Sequence, residues 1–379
     1  MTGDSIAAID GDDRHYTLTR LQGWLQMVQA LPRPQPPLLS LAELAGLPRR
    51  ERLRYDDQRM VWHANLGPIR TPQLLALHDH LAEVVESNRH DGDKVKPGVI
   101  VDAYPGLGKT TAVLAFAGRF HLDQVALRGE TTPDGHRRIP VVYVALTANT
   151  SMRSLNEAIC RFYGLPLGGN ADQLAARATD AVLSCGSQLL LIDDIHFLDM
   201  RRRDARVMAN HLKHLASTFP LTLVCIGVGV EERGVLSEGL APTDAAFAQS
   251  ARRLTKLTLP PFLVDTQQGR RDWRRLLLTI ERQLVLAQKH RGMVADDLSD
   301  YLYARSTGHF ASLMTLICRS AHRAIRTGQE RLSIDLLDQV TNDAAAEAAR
   351  KELMAALEAG LFTTRPQPQS TGRTRKRPA

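Results

Sequence analysis

GVIVDAYPGLGKTTAVLAF, at residues 98–116, carries more information than any other part of the chain. Residues 98–101 are a short, apolar, β-branched run, which predicts a buried strand. A turn with two glycines follows, then Gly-Lys-Thr, and residues 111–120 predict a helix. A strand, a glycine-containing loop, Gly-Lys-Thr and a helix, in this order, are typical of a phosphate-binding loop.

Each part of this loop has a chemical reason. Gly106 and Gly108 allow the backbone to turn its N–H groups toward one point, and the start of the next helix adds partial positive charge there. Lys109 can reach the β- and γ-phosphates, and the Thr110 hydroxyl can bind Mg²⁺. The predicted nucleotide-binding residues are Ala103, Tyr104, Pro105, Gly106, Leu107, Gly108, Lys109, Thr110 and Thr111. Ala103 stands where the usual pattern has glycine, and alanine fits if its φ is negative.

A second acidic strand is predicted at residues 188–196, QLLLIDDIH. Four consecutive apolar residues indicate a strand buried on both faces, as in a parallel sheet. Asp193 then lies at the carboxyl end of that strand and is predicted to hold Mg²⁺. We predict that Asp194 orients and deprotonates the attacking water, although aspartate is one methylene shorter than the usual glutamate, so hydrolysis would be slow or partner-stimulated. The alternative interpretations are a chance glycine turn before a helix for the phosphate-binding loop, and a solvated turn for Asp193 and Asp194.

Strand and helix patterns alternate between residues 98 and 262, which predicts a parallel, three-layer α/β domain. The other predicted strands are residues 139–146, 221–228 and 254–259. Lys109 and Asp193 are far apart in sequence, and the predicted strand at residues 139–146 lies between them. Both features fit the P-loop folds that have an added strand in the centre of the sheet. Beyond residue 261 only helices are predicted, at residues 271–289, 295–306, 310–327 and 334–357. We therefore predict a P-loop NTPase α/β domain at 67–262 and an all-helical lid domain at 263–358.

The ends of the chain differ from these domains. Residues 1–66 predict a partly disordered appendage of small helices, which would either dock on a partner or cover the main domain. Residues 359–379 predict a disordered tail. The net charge is +7, and the last fifteen residues hold five basic side chains and no acid, so this tail is a basic arm.

Composition limits the class of protein. A hydrophobic content of 44% and a charged content of 23% are ordinary for a soluble globular protein. Four widely separated cysteines, a polar N-terminus without a signal peptide and no apolar stretch of membrane-spanning length predict a reduced, cytoplasmic protein that does not enter a membrane.

The order of the motifs resembles the AAA+ superfamily and, more closely, the TniB/TnsC type of transposition ATPases. The resemblance covers about residues 59–340. It is carried by IRTP (69–72), AYPGLGKTT (103–111), LLLIDDIH (189–196), LVCIGVG (223–229), ARRLTKLTLPPF (251–262) and RSTGHF (305–310).

This resemblance implies that the protein uses ATP with Mg²⁺, forms a homo-oligomeric ring or filament on double-stranded DNA, and recruits a transposase to target DNA. It also implies that Arg252 or Arg253 reaches the γ-phosphate of a neighbouring subunit; the alternative is a solvated basic pair. Two positions depart from the family pattern. Val228 replaces a polar residue at the end of the fourth strand, and the lid lacks its usual arginine, for which His309 is the nearest candidate.

DNA contact has two further candidates in the sequence, the basic tail and a cluster of arginines after the acidic strand. That cluster is Arg201, Arg202, Arg203 and Arg206. Basic residues at the start of a helix oppose its dipole, which suggests a use such as phosphate contact, although a solvated cluster is the alternative. Two other functions stay open: a nucleotide-gated signalling switch that assembles protein partners, and an initiator-type ATPase or helicase loader.

Overall fold

A computed structural model describes residues 14–89, 96–147, 151–195, 221–229 and 254–367. It divides into two compact units. The first joins Met1–Pro32 to Pro72–Pro260, and the second joins Arg33–Thr71 to Pro261–Ala379. The boundaries predicted from the sequence, at 66/67, 262/263 and 358/359, stay predictions.

The first unit contains a five-stranded, fully parallel sheet. Its strands are β1 Gly98–Asp102, β2 Val141–Ala145, β3 Leu189–Asp193, β4 Thr222–Gly227 and β5 Leu254–Thr258. The order across the sheet is β2-β3-β4-β1-β5, so β4 lies between β1 and β3. Strands β1 to β4 are almost completely buried, as their continuous apolar runs predict, whereas the edge strand β5 is partly exposed. The predicted α/β fold class is confirmed.

Helices surround this sheet. They are α1 Leu21–Gln29, α4 Pro72–Ser87, α5 Lys109–Arg128, α6 Met152–Tyr163 and α7 Ala171–Ser184. Helices α6 and α7 begin with capping boxes, Ser151 with Ser154 and Asn170 with Gln173. The core of the unit includes Ile100, and it is continuous from the sheet to Trp24 of α1. The sequence also predicts a helix at residues 204–217, and this segment lies outside the described residues.

The regular secondary structure of the second unit is entirely helical among its described residues. Its helices are α2 Leu41–Gly46, α3 Arg49–Ala64, α8 Gln267–Gln283, a π-helical turn at Met293–Asp297, α9 Ser299–Ser306, α10 Phe310–Thr327, α11 Ile334–Asp338 and α12 Ala344–Glu358. The helix predicted at 334–357 is interrupted, because the Asp343 side chain accepts the Ala346 N–H and starts a new helix. Helix α3 was not predicted. The packed chain continues past residue 358, since Thr364 is fully buried and hydrogen-bonds to Ser299 and Asp300.

Each unit has its own apolar core, and the second is built around Trp273, Leu302 and Ile317. Among the described residues, no helix combines the length and the apolar character needed to cross a membrane.

Candidate nucleotide-binding site

The loop at residues 103–108 joins β1 to α5 at the carboxyl edge of the sheet. Its two glycines have φ values of 78° for Gly106 and 82° for Gly108, which a residue with a Cβ adopts only with strain. Ala103 is not among the residues with positive φ, so alanine fits there without strain. The Ala103 N–H donates to the Gly227 carbonyl over 3.4 Å, and the buried Leu107 side chain anchors the loop. The predicted strand, loop and helix are therefore present in order.

The start of α5 is built differently from those of α6 and α7. Its N-cap is Gly108, which has no side chain and forms no capping hydrogen bond. The first N–H groups of α5 are therefore not satisfied by an N-cap side chain, and the helix dipole adds positive potential at the same place. Lys109 and Thr110 are the first two residues of this helix and are half-buried. This arrangement suits an anion such as a phosphate.

Asp193 lies at the end of β3 and is 4% exposed. Its Oδ1 atom accepts hydrogen bonds from the Thr110 hydroxyl at 3.4 Å and from the Asp194 N–H at 2.8 Å. The structure thus brings together two residues that the sequence predicted as Mg²⁺ ligands, although they are 83 positions apart. The parallel strands make this possible, because β1 and β3 both end at the same edge of the sheet.

Tyr143 completes the surroundings of Asp193 and was not predicted from the sequence. Its hydroxyl donates to Asp193 Oδ2 over 3.0 Å. Ala145 is the strand partner of Asp193, and Tyr143 lies two residues earlier on the same face of the sheet, so its long side chain reaches the carboxylate diagonally. Burial raises the pKa of the Tyr143 phenol, and the nearby negative charge of Asp193 raises that pKa further. Tyr143 is therefore a neutral donor that holds one oxygen of Asp193.

Asp194 follows Asp193 directly and is half-buried. Its φ of 58° is left-handed, a conformation that aspartate tolerates better than most residues. This turn aims its N–H back at Asp193 and ends β3. The water-activating role predicted for Asp194 stays a prediction.

The residues fit a magnesium ion that is held jointly with a nucleotide. A threonine hydroxyl and a carboxylate are the oxygen ligands that Mg²⁺ prefers, and a nucleotide site needs only one or two of them from the protein. Within the described part of the chain, no basic side chain forms an ion pair with Asp193. No group of three or more His, Cys, Asp or Glu side chains is arranged there to hold a metal without such help.

Other residues that the sequence analysis named either lie outside the described residues or stand apart from Asp193 in the description of the site. Arg252, Arg253 and the Arg201–Arg206 cluster lie outside the described residues. Val228 directly follows β4 and is half-buried, so this strand end presents an apolar side chain, as the sequence indicated. His309 is the N-cap residue of α10, and its Nδ1 pairs with the Thr307 hydroxyl at 2.8 Å, which is a structural role.

The order of the strands, the glycine loop before α5 and the buried Asp193 agree with an AAA+ fold. In agreement, the family described as an AAA domain matches residues 94–236. This match covers less than half of the chain; it supports the AAA+ superfamily predicted from the sequence and does not establish the TniB/TnsC type.

Solved structures show the same fold. The chain matches the Aeropyrum pernix ORC2 protein in ADPNP-ADP complexes with a TM-score of 0.54 and 16% identity, over 79% of this chain and 74% of that one. It matches the Aeropyrum pernix ORC1 protein in complex with DNA with a TM-score of 0.50 and 16% identity, over 79% and 71%. It matches Cdc6p from Pyrobaculum aerophilum with a TM-score of 0.51 and 14% identity, over 71% of this chain and 67% of that one. No curated protein sequence matches significantly.

Proposed function

We propose that this protein binds ATP with Mg²⁺, assembles with copies of itself on double-stranded DNA, and hydrolyses ATP slowly or when a partner stimulates it. The observation that carries the nucleotide-binding part of this proposal is the placement of Thr110, at the start of an uncapped helix, 3.4 Å from the buried Asp193 carboxylate. The assembly on DNA is supported by the sequence resemblance alone. A triphosphate over the loop would accept hydrogen bonds from the first N–H groups of α5 and from Lys109.

Thr110 and Asp193 are the residues that would hold Mg²⁺, which when bound neutralises charge on the phosphates. The Tyr143 and Asp194 hydrogen bonds fix the Asp193 carboxylate before the nucleotide arrives. Such prior positioning lowers the cost of organising the site.

Asp194 is our candidate for orienting and deprotonating the attacking water. Asp194→Asn should then leave ATP binding intact, abolish phosphate release and extend the lifetime of the assembled form. If the variant disperses the protein, the water-activating role belongs to another residue.

Assembly would place a second subunit against the nucleotide. Arg252 or Arg253 is the proposed source of the arginine that reaches the γ-phosphate, because a guanidinium is always charged and forks onto phosphate oxygens. Replacing each by alanine separately should identify which one acts, since only that variant would lose hydrolysis while still binding ATP.

The finer role that we propose is regulation of transposition by recruiting a transposase to target DNA. Its support is the order of sequence motifs from IRTP at 69–72 to RSTGHF at 305–310. An initiator-type ATPase is the second candidate, and its support is the fold shared with the ORC and Cdc6 structures over more than two thirds of the chain. A transposase that is encoded beside this protein and co-purifies with it only in ATP would favour the first role.

Electron microscopy with a non-hydrolysable ATP analogue, with and without duplex DNA, tests the assembly. Rings or filaments that require both the analogue and DNA are expected, and Lys109→Ala should give neither. Dispersed monomers in all conditions would contradict the proposal. Assembly that needs the analogue but ignores DNA would instead indicate a signalling switch.

A further inference from the structure

His78 is a polar side chain on the otherwise apolar buried face of α4, a helix that the structure describes completely. The other buried residues of this helix are Leu74, Leu77, Leu81 and Val85. A polar group at such a position costs free energy unless it is hydrogen-bonded. The imidazole of His78 is only 7% exposed, so its partners must explain why the fold accepts it there.

The imidazole of His78 is hydrogen-bonded to α5 at both of its nitrogens. Nε2 lies 2.9 Å from the Ala112 carbonyl oxygen, and Nδ1 lies 3.2 Å from a guanidinium nitrogen of Arg119. A carbonyl only accepts and a guanidinium only donates, so Nε2 carries the proton and Nδ1 accepts. The Phe116 ring also contacts the imidazole, with 5.8 Å between the ring centroids. Residues 112, 116 and 119 lie on one side of α5, so His78 holds this helix along two turns.

The contact with Ala112 reaches the turn of α5 that begins the candidate nucleotide site. Ala112 is the fourth residue of the helix, and its N–H donates to the carbonyl of Gly108, the N-cap residue, at 2.8 Å. The same turn carries Lys109 and Thr110. Within an α-helix a carbonyl accepts the N–H four residues later, and its second lone pair is left for a partner such as His78. His78 therefore adds a bond from α4 to the first turn of α5.

This bond matters because no cap side chain holds the start of α5. Helices α6 and α7 begin with capping boxes, whereas the N-cap of α5 is Gly108, which forms no side-chain bond. The absence of a cap leaves N–H groups available to a phosphate, but it also removes a bond that would fix the first turn. His78 bonds this turn at a carbonyl, and helix carbonyls point away from the N–H groups that would face a phosphate.

We propose that His78 is a positioning residue of the nucleotide site. It fixes the first turn of α5 against α4, and thereby holds Lys109 and Thr110 where they can bind phosphate and Mg²⁺ before the nucleotide arrives. Prior positioning of binding groups lowers the cost of organising them when the ligand binds. This inference rests on the nucleotide-binding part of the proposed function.

The test compares the ATP affinity of the folded, full-length protein with its unfolding free energy in the absence of nucleotide. His78→Leu keeps an apolar side chain on the buried face but removes both hydrogen bonds. In His78→Gln the amide nitrogen can take the place of Nε2 and donate to Ala112, whereas the side chain in His78→Asn is one methylene too short. The matched control is Asn88→Leu, which removes buried hydrogen bonds to Pro97 and Thr222 at the amino edge of the sheet.

Equilibrium dialysis with ATP and Mg²⁺ measures the affinity, and circular dichroism checks that each variant folds. His78→Leu and His78→Asn should bind ATP about five-fold more weakly than wild type, as expected for the loss of about one hydrogen bond. His78→Gln should restore most of the affinity. Asn88→Leu should lose stability but keep the wild-type affinity, because its hydrogen bonds do not reach the start of α5.

The outcomes separate this inference from the proposed function. If wild-type protein binds ATP and the Leu and Asn variants of His78 bind it equally well, His78 only packs α4 against α5, and the positioning role is wrong while the proposed function stands. An equal loss of affinity in Asn88→Leu would also contradict the positioning role. If His78→Leu does not fold, equal affinities of His78→Asn and His78→Gln would overturn it. If wild-type protein binds no ATP, the proposed function and this inference both fail.

Discussion

Asp193 and Glu330 are both carboxylates that this fold buries, with 4% and 1% exposure, but their surroundings differ. Glu330, in the helical unit, is paired with Arg59 through two contacts of 2.6 and 3.0 Å and also with Arg52. Asp193, in the α/β unit, receives only neutral donors within the described residues, from Tyr143, Thr110 and the Asp194 backbone. Glu330 is therefore neutralised within the protein, whereas Asp193 has no ionic partner among the described residues.

This contrast agrees with a structural role for Glu330 and with the metal-binding role that we propose for Asp193. A buried charge is costly unless it is paired, so the fold neutralises Glu330 itself. At Asp193 the charge is oriented by hydrogen bonds and stands beside an uncapped helix start. The combination of a positive helix end and an oriented, uncompensated carboxylate is what a magnesium-bound triphosphate would require.

The largest effect on nucleotide binding is expected in the α/β unit, from Lys109→Ala. Removing the cation that pairs with the phosphates should weaken ATP binding by about 3 kcal/mol, or roughly 100-fold. Equilibrium dialysis with ATP and Mg²⁺ measures this. Lys351→Ala, at an exposed position of α12, is the matched control and should bind as wild type. Equal ATP affinity of the two variants would show that Lys109 does not contribute to nucleotide binding.

The second prediction concerns the buried ion pair between Arg59 and Glu330 in the helical unit. Arg59→Met leaves Glu330 buried without its main partner and should lower the free energy of unfolding by about 3–5 kcal/mol. Urea unfolding followed by circular dichroism measures the loss. Arg54→Met, at an exposed position of the same helix, should cost less than about 0.5 kcal/mol. A similar loss in both variants would show that the pair is not what stabilises this unit.

Acid should weaken the α/β unit through His121. Burial lowers the pKa of His121 to about 4, and the Trp24 indole N–H donates to its Nδ1 at 3.1 Å, which requires the neutral ring. The unfolded chain binds a proton near pH 6.5. The stabilising contribution is therefore present above pH 6.5 and is lost as the pH falls to about 4.

The pH dependence of the unfolding free energy tests this. His121 should contribute a fall of up to about 1.4 kcal/mol for each pH unit in that window. His121→Gln keeps an acceptor for Trp24 but cannot titrate, so its profile should be shallower there. Profiles of equal slope would assign the acid sensitivity to other groups.

The smallest effect is expected from Tyr143→Phe, which frees one oxygen of Asp193. Loss of one hydrogen bond costs about 1 kcal/mol, so about five times more Mg²⁺ should be needed for half-maximal ATP binding. Binding of ATP without Mg²⁺ should not change. The control is Tyr163→Phe, which removes a buried hydroxyl that pairs with Ser187 at 2.7 Å, away from Asp193. If both variants have the same Mg²⁺ dependence, Tyr143 does not position the carboxylate.

The α/β unit was predictable from sequence because its signals are local. Each buried strand is a continuous apolar run, and Gly106 and Gly108 mark the loop. Tyr143 could not be predicted, because its role depends on the register of β2 against β3. If the register of β2 against β3 were known, Tyr143 could be identified as the residue two positions before Ala145, the strand partner of Asp193.

The helical unit was less predictable because part of its core is polar. Helix α3 buries Tyr55, Arg59 and His63 at four-residue spacing, and two of these three are polar, so apolar periodicity does not reveal the helix. Arg59 is buried because Glu330, which is 271 positions away, neutralises it. A partner so remote in sequence leaves no local pattern.

In our proposal, Asp193 and the loop before α5 bind a triphosphate together with a magnesium ion. Isothermal titration calorimetry of the folded protein with ATP, in Mg²⁺ and then in EDTA, tests it most directly. We predict saturable heat with one ATP for each chain in Mg²⁺, and clearly weaker binding in EDTA. The absence of heat in Mg²⁺, or equal affinity in both buffers, would contradict the claim.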